Sequence, residues 1–530
     1  MSTRTATRTS PERAKRLALL AAILGSFVAG LDATVVNVAL PAIRADLGGG
    51  LAAQQWIANA YLLTLGSLIL VGGSLGDVFG ERRIFAIGVG GFGVVSVLCA
   101  LAPSVEVLVA GRALQGVFGA LLTPSALAVI VATFTPEERG AAIGTWTAWT
   151  GIAFVIGPLA GGWLVDAASW RWIFAINVPF VAVTLALVFA AVPARASSGA
   201  LARVDWLGAL LTAFGLAGPV LALIRVPAAG WSSPQVWATG LGGVALLVLF
   251  VLHERRTPHP MLPLGLFARR NFSVANLQTF AMYGGLGTMS FLVTLFLQQV
   301  AGYSALEAGL ATMPISVVMF LLSPRAGRLA DRIGPRLLMG LGPLVAASGL
   351  ALMLRLGADV DYVTELLPAL LVFALGLSAT VAPLTATVLA DADESNAGIA
   401  SGVNNAIARV AALLCVAGIG AVVAAAFSST LDARLAGQRL DPRAAAEVRE
   451  ARQATLARVP GPAAQAVEAA SVRAFHVGIG IAAGLVGLGG VLGLAGIRNP
   501  RRSVRCADCP GGQLAGAPLD AARERAAAAA

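Results

Sequence analysis

Three charged side chains, Asp32, Arg112 and Arg409, stand inside long apolar stretches of the 530-residue sequence. Because a charge within a membrane-spanning helix is costly, each of them is a candidate functional residue. At a helical rise of about 1.5 Å per residue, Asp32 lies roughly 12 Å before the end of the first stretch and Arg112 roughly 11 Å after the start of the fourth. Both distances run from the same side of a bilayer, so the two side chains are predicted at matching depth.

An acid beside a guanidinium in an apolar setting can take up and release a proton, because burial favours the neutral acid and the cation favours its anion. The pair Asp32 and Arg112 is therefore predicted to couple a proton or a cationic ligand to a change of state. The alternative is a static salt bridge between helices. For Arg409, the competing interpretation is a side chain that reaches the membrane surface or backbone carbonyls.

The composition places these residues in a membrane protein. Hydrophobic residues make up 57% of the chain and charged residues only 12%, whereas soluble domains carry about 25% charged residues. The net charge of +10 is expected at the membrane surface facing anionic lipid, which makes nucleic acid an improbable partner.

The elements that position the charged residues are apolar runs of about 20 residues, the length that spans a bilayer as a helix. Fourteen such runs are predicted, and we expect an all-α polytopic fold. They cover residues 17–40, 53–74, 84–102, 105–131, 141–165, 172–192, 206–224, 236–252, 272–300, 306–324, 337–356, 364–390, 399–425 and 474–496.

The distribution of basic residues predicts the orientation. With the N-terminus inside, 24 Lys and Arg fall in inner segments and 11 in outer ones, seven of these in one long loop, 426–473. Short loops with basic residues stay in the cytoplasm, so both termini are predicted there. The predicted organisation is an N-terminal tail 1–16, a six-helix half 17–192, two inserted helices 205–252, a six-helix half 271–497 containing the extracellular loop 426–473, and a disordered cytoplasmic tail 498–530.

An internal repeat supports this organisation. Residues 73–83 read GSLGDVFGERR and residues 327–337 read GRLADRIGPRL. Parallel repeats characterise transporters with a central site between two halves. The repeat is interpreted as a charge latch that opens when the halves move, or alternatively as an anchor that fixes topology. Its candidate residues are Gly73, Asp77, Gly80, Arg82, Arg83, Asp331, Arg332 and Arg336.

The fifth apolar run contains the small-residue pattern GPLAGG, at residues 157–162. Gly157, Gly161 and Gly162 permit close helix packing, and Pro158 is expected to kink the helix. Packing alone is the competing explanation for this motif.

Three further observations argue against a nucleotide-driven pump, an enzyme and a metal-binding protein. The only lysine, Lys15, is not in a phosphate-binding loop, so this chain is not expected to use a nucleotide. No catalytic constellation is found, and the chain is not expected to be an enzyme. Cys506 and Cys509 lack a second ligand pair, so neither a metal nor another cofactor is expected.

Four ordered motifs resemble those of the major facilitator superfamily, and within it the fourteen-helix drug:proton antiporters of the EmrB/QacA type. Residues 31–41, LDATVVNVALP, resemble the first-helix motif of that family, and residues 73–83 its loop signature. Residues 112–116, RALQG, resemble the fourth-helix motif, and residues 157–162 the antiporter motif. The resemblance covers residues 15 to about 498.

The resemblance implies a major facilitator fold of two six-helix halves plus two inserted helices. It also implies proton-coupled export of hydrophobic or cationic compounds across the cell inner (cytoplasmic) membrane, with the proton gradient as energy source. Asp32 and Arg112 would then couple protons and substrate, with Asn37 and Gln115 from the same motifs, and the repeat would form the gate. A monomer in the lipid bilayer is expected.

Two departures from the family pattern stand out. Val78 and Glu81 occupy positions that are usually basic, and the core of the second half offers no acidic residue for divalent cations. The alternatives are a dedicated exporter of one endogenous metabolite or lipid and, from another class, a membrane receptor or scaffold.

Overall fold

The computed structural model describes residues 11–193, 205–258, 260, 262–390, 397–436 and 441–499. The described chain is almost entirely α-helical and contains no strand. The tail from residue 500 onward, including Cys506 and Cys509, lies outside the described residues.

Sixteen α-helices follow one another in the described residues. They are α1 (Pro11–Leu47), α2 (Leu51–Phe79), α3 (Glu81–Ala100), α4 (Val105–Thr133), α5 (Pro136–Ala167), α6 (Trp172–Ala175), α7 (Asn177–Ala191), α8 (Trp206–Ala229), α9 (Pro234–Glu254), α10 (Arg270–Gln299), α11 (Ala305–Ile333), α12 (Pro335–Leu352), α13 (Leu367–Ala390), α14 (Ala397–Leu435), α15 (Pro442–Ala454) and α16 (Ala464–Gly496).

Every predicted run falls on a helix, with α6 and α7 together forming the sixth. Twelve helices of the described chain are long and apolar enough to cross a bilayer, which confirms the all-α membrane class. The count of fourteen is not reached by this criterion, because α2 and α5 are not among the twelve. They are nevertheless 29 and 32 residues long, which is enough to cross a bilayer, and both contain residues whose side chains lie outside the described part of the chain.

The predicted loop 426–473 is much shorter than expected. Helix α14 continues to Leu435, α16 already begins at Ala464, and α15 lies between them. Asp441 caps α15 by accepting a hydrogen bond from the Ala444 amide at 2.6 Å, a common signal for the start of a helix. Hydropathy alone missed these segments because they are helical without being apolar enough to span a membrane.

The helices pack in two groups joined by the inserted pair. Helices α1–α7 contact one another, as do α10–α14 and α16, and we call these groups the N-terminal and C-terminal halves. Helices α8 and α9 pack together, and α8 also contacts α2 and α14. We call the ends where α1 begins and α16 ends the terminal side, and the opposite ends the α15 side.

The two halves contact each other toward the α15 side. The Asp166 carboxylate at the end of α5 accepts hydrogen bonds from the amides of Ala305 and Leu306, at 3.2 and 2.8 Å. These amides begin α11, where an anion is favoured by the helix dipole. Gln298 Nε2 of α10 donates to the Val38 carbonyl of α1 at 2.9 Å.

Both copies of the sequence repeat form the same turn. Gly80 ends α2 with φ 89°, and Gly334 ends α11 with φ 87°. In each copy an arginine then donates to a carbonyl in the last turn of another helix: Arg82 to Phe189 at 3.2 Å, and Arg336 to Leu494 at 2.7 Å. Basic side chains are favourable at helix C-termini.

Replacing Gly80 by alanine is expected to lower the free energy of unfolding by about 1–2 kcal/mol, because a side chain in the left-handed region clashes with its own backbone. Thermal unfolding of the detergent-solubilised protein measures this effect. The matched control is Gly242→Ala in α9, since a Cβ there meets no atom within 4 Å. If Gly80→Ala is as stable as that control, the turn does not require glycine.

Candidate functional site

A buried polar cluster lies in the middle of the N-terminal half. Its members come from α1, α3, α4 and α7 and are almost completely inaccessible, with Asp32 0% and Arg112 1% exposed. Buried polar groups in a bundle need one another as partners. The members are Asp32, Ser96, Arg112, Gln115 and Asn177.

Asp32 and Arg112 form an ion pair between Oδ2 and Nη1. The guanidinium has further partners: its Nε donates to the Ile57 carbonyl at 3.2 Å and its Nη1 to Gln115 Oε1 at 2.8 Å. It also lies 4.6 Å from the centre of the Tyr61 ring, a cation–π distance. Arg112 is thus held by partners from α1, α2 and α4 at once.

The other oxygen of Asp32 is bound less tightly. Oδ1 accepts from Gln115 Nε2 at 3.4 Å and from Asn177 Nδ2 at 3.3 Å. The same two amides donate to Ser96 Oγ, at 2.9 and 3.3 Å. The Asn177 Oδ1 atom is buried without a hydrogen-bond partner among the described residues. A rotation of this amide would present an acceptor to a protonated Asp32, so the cluster can accommodate both charge states.

The sequence did not single out Ser96 and Asn177. Both are uncharged polar residues within apolar runs. A single serine or asparagine in a membrane-spanning helix costs much less free energy than a charged residue, so neither stands out in the sequence. Their contacts with Asp32 depend on how α3 and α7 are rotated about their own axes, which hydropathy does not predict. Asn37, which the sequence did single out, is half-buried, and its side chain makes no hydrogen bond to the described residues.

The glycines of the predicted antiporter motif bring α5 against α1 beside the cluster. A Cβ on Gly157 would collide with Thr34, and one on Gly161 with Val35. A Cβ on Gly162 would lie 2.5 Å from the Leu306 Cα, on α11 of the other half. The motif therefore permits contact both next to Asp32 and between the halves, and Pro158 lies within the helix.

Arg409 lies where the two halves face each other. Its Cβ is 3.4 Å from the position that a Cβ on Gly66 of α2 would occupy. Arg409 is half-buried and has no ion-pair partner among the described side chains.

The structure describes the predicted latch only in part. The side chains of Asp77 and Asp331 lie outside the described residues. Arg83 and Arg332 are exposed, and a Cβ on Gly73 of α2 would lie 3.7 Å from the Pro124 Cβ of α4. A latch between these residues stays a prediction.

An apolar cleft of about 480 Å³ lies between α1, α5 and α7. Its lining includes Leu31, the neighbour of Asp32, together with Phe27, Trp149, Ile176 and Phe180. Clefts of roughly 300–1,000 Å³ with apolar walls suit small organic ligands. In the described chain, no group of three or more His, Cys, Asp or Glu residues is arranged to hold a metal.

Comparison with known proteins gives a consistent result. The sequence profile of the Major Facilitator Superfamily matches residues 22–416. The puromycin resistance protein pur8 of Streptomyces alboniger is 38% identical over 79% of this chain and 84% of its own length. The tetracenomycin C resistance and export protein of Streptomyces glaucescens is 35% identical over 82% and 81%. The methylenomycin A resistance protein of Bacillus subtilis is 34% identical over 76% and 87%.

Solved structures share the fold at low identity. A bacterial homolog of the human lysosomal transporter Spinster, in an inward-facing and occupied conformation, superposes with a TM-score of 0.61 at 16% identity, over 92% of this chain and 97% of that chain. A D-xylose–proton symporter superposes with a TM-score of 0.55 at 16% identity, over 77% and 90%.

Proposed function

Because the chain belongs to the Major Facilitator Superfamily, we propose that this multi-pass membrane protein exports hydrophobic compounds, antibiotics among them, in exchange for protons. The observation that carries the proposal is the Asp32 carboxylate, fully buried in an apolar bundle between Arg112 and two side-chain amides. The relatives named for antibiotic resistance and export support the same class of cargo.

Asp32 takes up one proton in each cycle. Protonation removes the negative charge from the ion pair, while Arg112 keeps the Ile57 carbonyl, Gln115 and the aromatic ring as partners. Protonation thereby weakens the contact between α1 and α4, while the guanidinium keeps its other hydrogen-bond partners. A proton entering down the membrane potential supplies about 2.3 kcal/mol per 100 mV, so no nucleotide is needed.

The orientation follows from the positive-inside rule. With both termini in the cytoplasm, the terminal side is cytoplasmic and the α15 side faces outward. The contacts of Asp166 and Gln298 then join the halves on the outer side, as expected of a state that loads substrate from the cytoplasm. The membrane is the cytoplasmic (inner) membrane.

The cargo is expected to be hydrophobic, because the cleft beside Asp32 is lined by apolar and aromatic side chains. Arg409 adds one positive charge where the halves face each other. A cationic compound would compete with Arg112 for Asp32, and its binding would thereby be coupled to proton release.

Everted membrane vesicles test the proposal. With a proton gradient, accumulation of several unrelated hydrophobic dyes is expected, and an uncoupler should abolish it. Accumulation of a single compound and no dye would favour the dedicated exporter instead. Ligand binding without any gradient-dependent accumulation would contradict transport and favour a receptor.

A further inference from the structure

The inserted helices carry a second group of buried titratable side chains. Asp205 immediately precedes α8, and His253 and Glu254 end α9, so the three meet on the terminal side, far along the chain from Asp32. Asp205 is 6% exposed in its side chain and Glu254 is 4% exposed. Carboxylates are almost never buried to this extent without a partner.

In both Asp205 and Glu254, one carboxylate oxygen has hydrogen-bond partners. Asp205 Oδ1 accepts from the Gly208 amide at 2.8 Å, as the cap of α8, and lies 2.9 Å from His253 Nε2. Glu254 Oε2 accepts from the Leu262 amide at 3.0 Å. The remaining oxygens, Asp205 Oδ2 and Glu254 Oε1, are buried and have no hydrogen-bond partner among the described residues.

The two unpartnered oxygens lie close to each other beside Gly208. A Cβ on Gly208 would lie 2.4 Å from Asp205 Oδ2 and 3.0 Å from Glu254 Oε1, so the two oxygens are at most about 5.4 Å apart. Ionisation of both carboxylates is disfavoured at such a separation in a buried site, because like charges in low dielectric repel strongly. A single proton between them removes one charge and supplies the missing donor.

Within the described part of the chain, the one side chain that could offset a carboxylate charge here is His253, which lies against Asp205 Oδ1 and not against the unpartnered oxygens. Among the described side chains, the titratable groups that interact with Glu254 are Asp205 and His253, while Arg203 and His259 lie outside the described residues. Helix α2 meets the start of α8 through Val71 and Val78, the side chain of Asp77 lying outside the described residues. Helix α14 meets α8 with apolar side chains such as Leu413 and Ala417.

We propose that Asp205 and Glu254 form a proton-binding site in which one proton is shared between Asp205 Oδ2 and Glu254 Oε1. A proton fits better than a metal, since no metal-binding arrangement is found in the described chain. The bound proton holds the end of α9 against the start of α8. Ala209 of α8 packs on Val71 and Val78 of α2, near the turn at Gly80. A change in the charge of the Asp205–Glu254 pair would therefore reach the turn between α2 and α3 through this contact.

Infrared spectroscopy of the full chain in lipid tests the site independently of transport. The Asp32→Asn variant serves as background, so that Asp32 contributes no signal. We expect one protonated carboxyl band at neutral pH that disappears at alkaline pH. Glu254→Gln and Asp205→Asn should each remove the same band, because either amide replaces the shared proton as donor. Asparagine also retains the helix cap.

The exposed Glu106 provides the matched control, and Glu106→Gln should leave the band unchanged. As a second readout, the melting temperature of the background protein is expected to fall as the pH rises through the titration of the band, whereas that of Glu254→Gln stays level. Absence of a protonated band at neutral pH would overturn the proposal. So would a band that survives both substitutions, or one that responds to sodium or magnesium ions but not to pH.

Discussion

Replacing Asp32 by asparagine is expected to abolish proton-driven efflux while the protein still folds. Asparagine has the same shape, and its oxygen can accept from Arg112, so the buried guanidinium keeps a hydrogen bond. The amide cannot bind and release a proton at physiological pH, and the coupling step is lost. Dye accumulation in everted vesicles should fall to the level seen with an uncoupler, and thermal unfolding should stay cooperative.

The same substitution at Asp46 is the control. Asp46 also lies on α1 and also pairs with an arginine, Arg171, but its side chain is 47% exposed. Exposed ion pairs contribute only about 0–1 kcal/mol, so Asp46→Asn should retain transport. Gradient-driven efflux by Asp32→Asn at the rate of Asp46→Asn would remove Asp32 from the mechanism.

Replacing Gly162 by alanine is expected to reduce transport on the order of tenfold, equivalent to about 1.4 kcal/mol. The added Cβ would lie 2.5 Å from the Leu306 Cα and 2.6 Å from the Ala305 carbonyl oxygen. Because both are backbone atoms, α5 and α11 must separate to accommodate the methyl group. The state in which the halves touch on the α15 side would be destabilised.

Initial rates of gradient-driven efflux measure this loss. The matched control is Gly484→Ala in α16, where a Cβ would meet nothing within 4 Å. That variant should transport at the wild-type rate, which separates the effect of the contact from that of changing a glycine in a helix. Equal rates for both variants would show that close approach of α5 and α11 is not needed.

The sequence predicted the helices because apolar length is a direct requirement of the bilayer. It also predicted the pairing of Asp32 with Arg112, since the cost of a buried charge makes such residues rare and their depth can be counted. The repeat predicted related structure in two places, and the turns at Gly80 and Gly334 have matching backbone angles.

Other parts of the site depend on relations that a linear pattern does not contain. Ser96 and Asn177 reach Asp32 because of helix rotation, and Gly162 meets Leu306 because of how the halves pack. The unpaired oxygens of Asp205 and Glu254 result from the start of α8 meeting the end of α9, 49 residues apart in the sequence. A charged residue near a helix end normally reaches water, so nothing in the sequence indicated that these would be buried.

The hydrogen bonds of Arg82 and Arg336 bear on the kinetics of the transport cycle. Each connects the beginning of one helix to the end of another within the same half, so neither must break when the halves move as rigid bodies. The activation barrier then resides in contacts between halves, such as those of Asp166 with α11. Substitutions at Asp166 would therefore change the turnover rate, whereas those at Arg82 or Arg336 would change the thermal stability of the half that contains them.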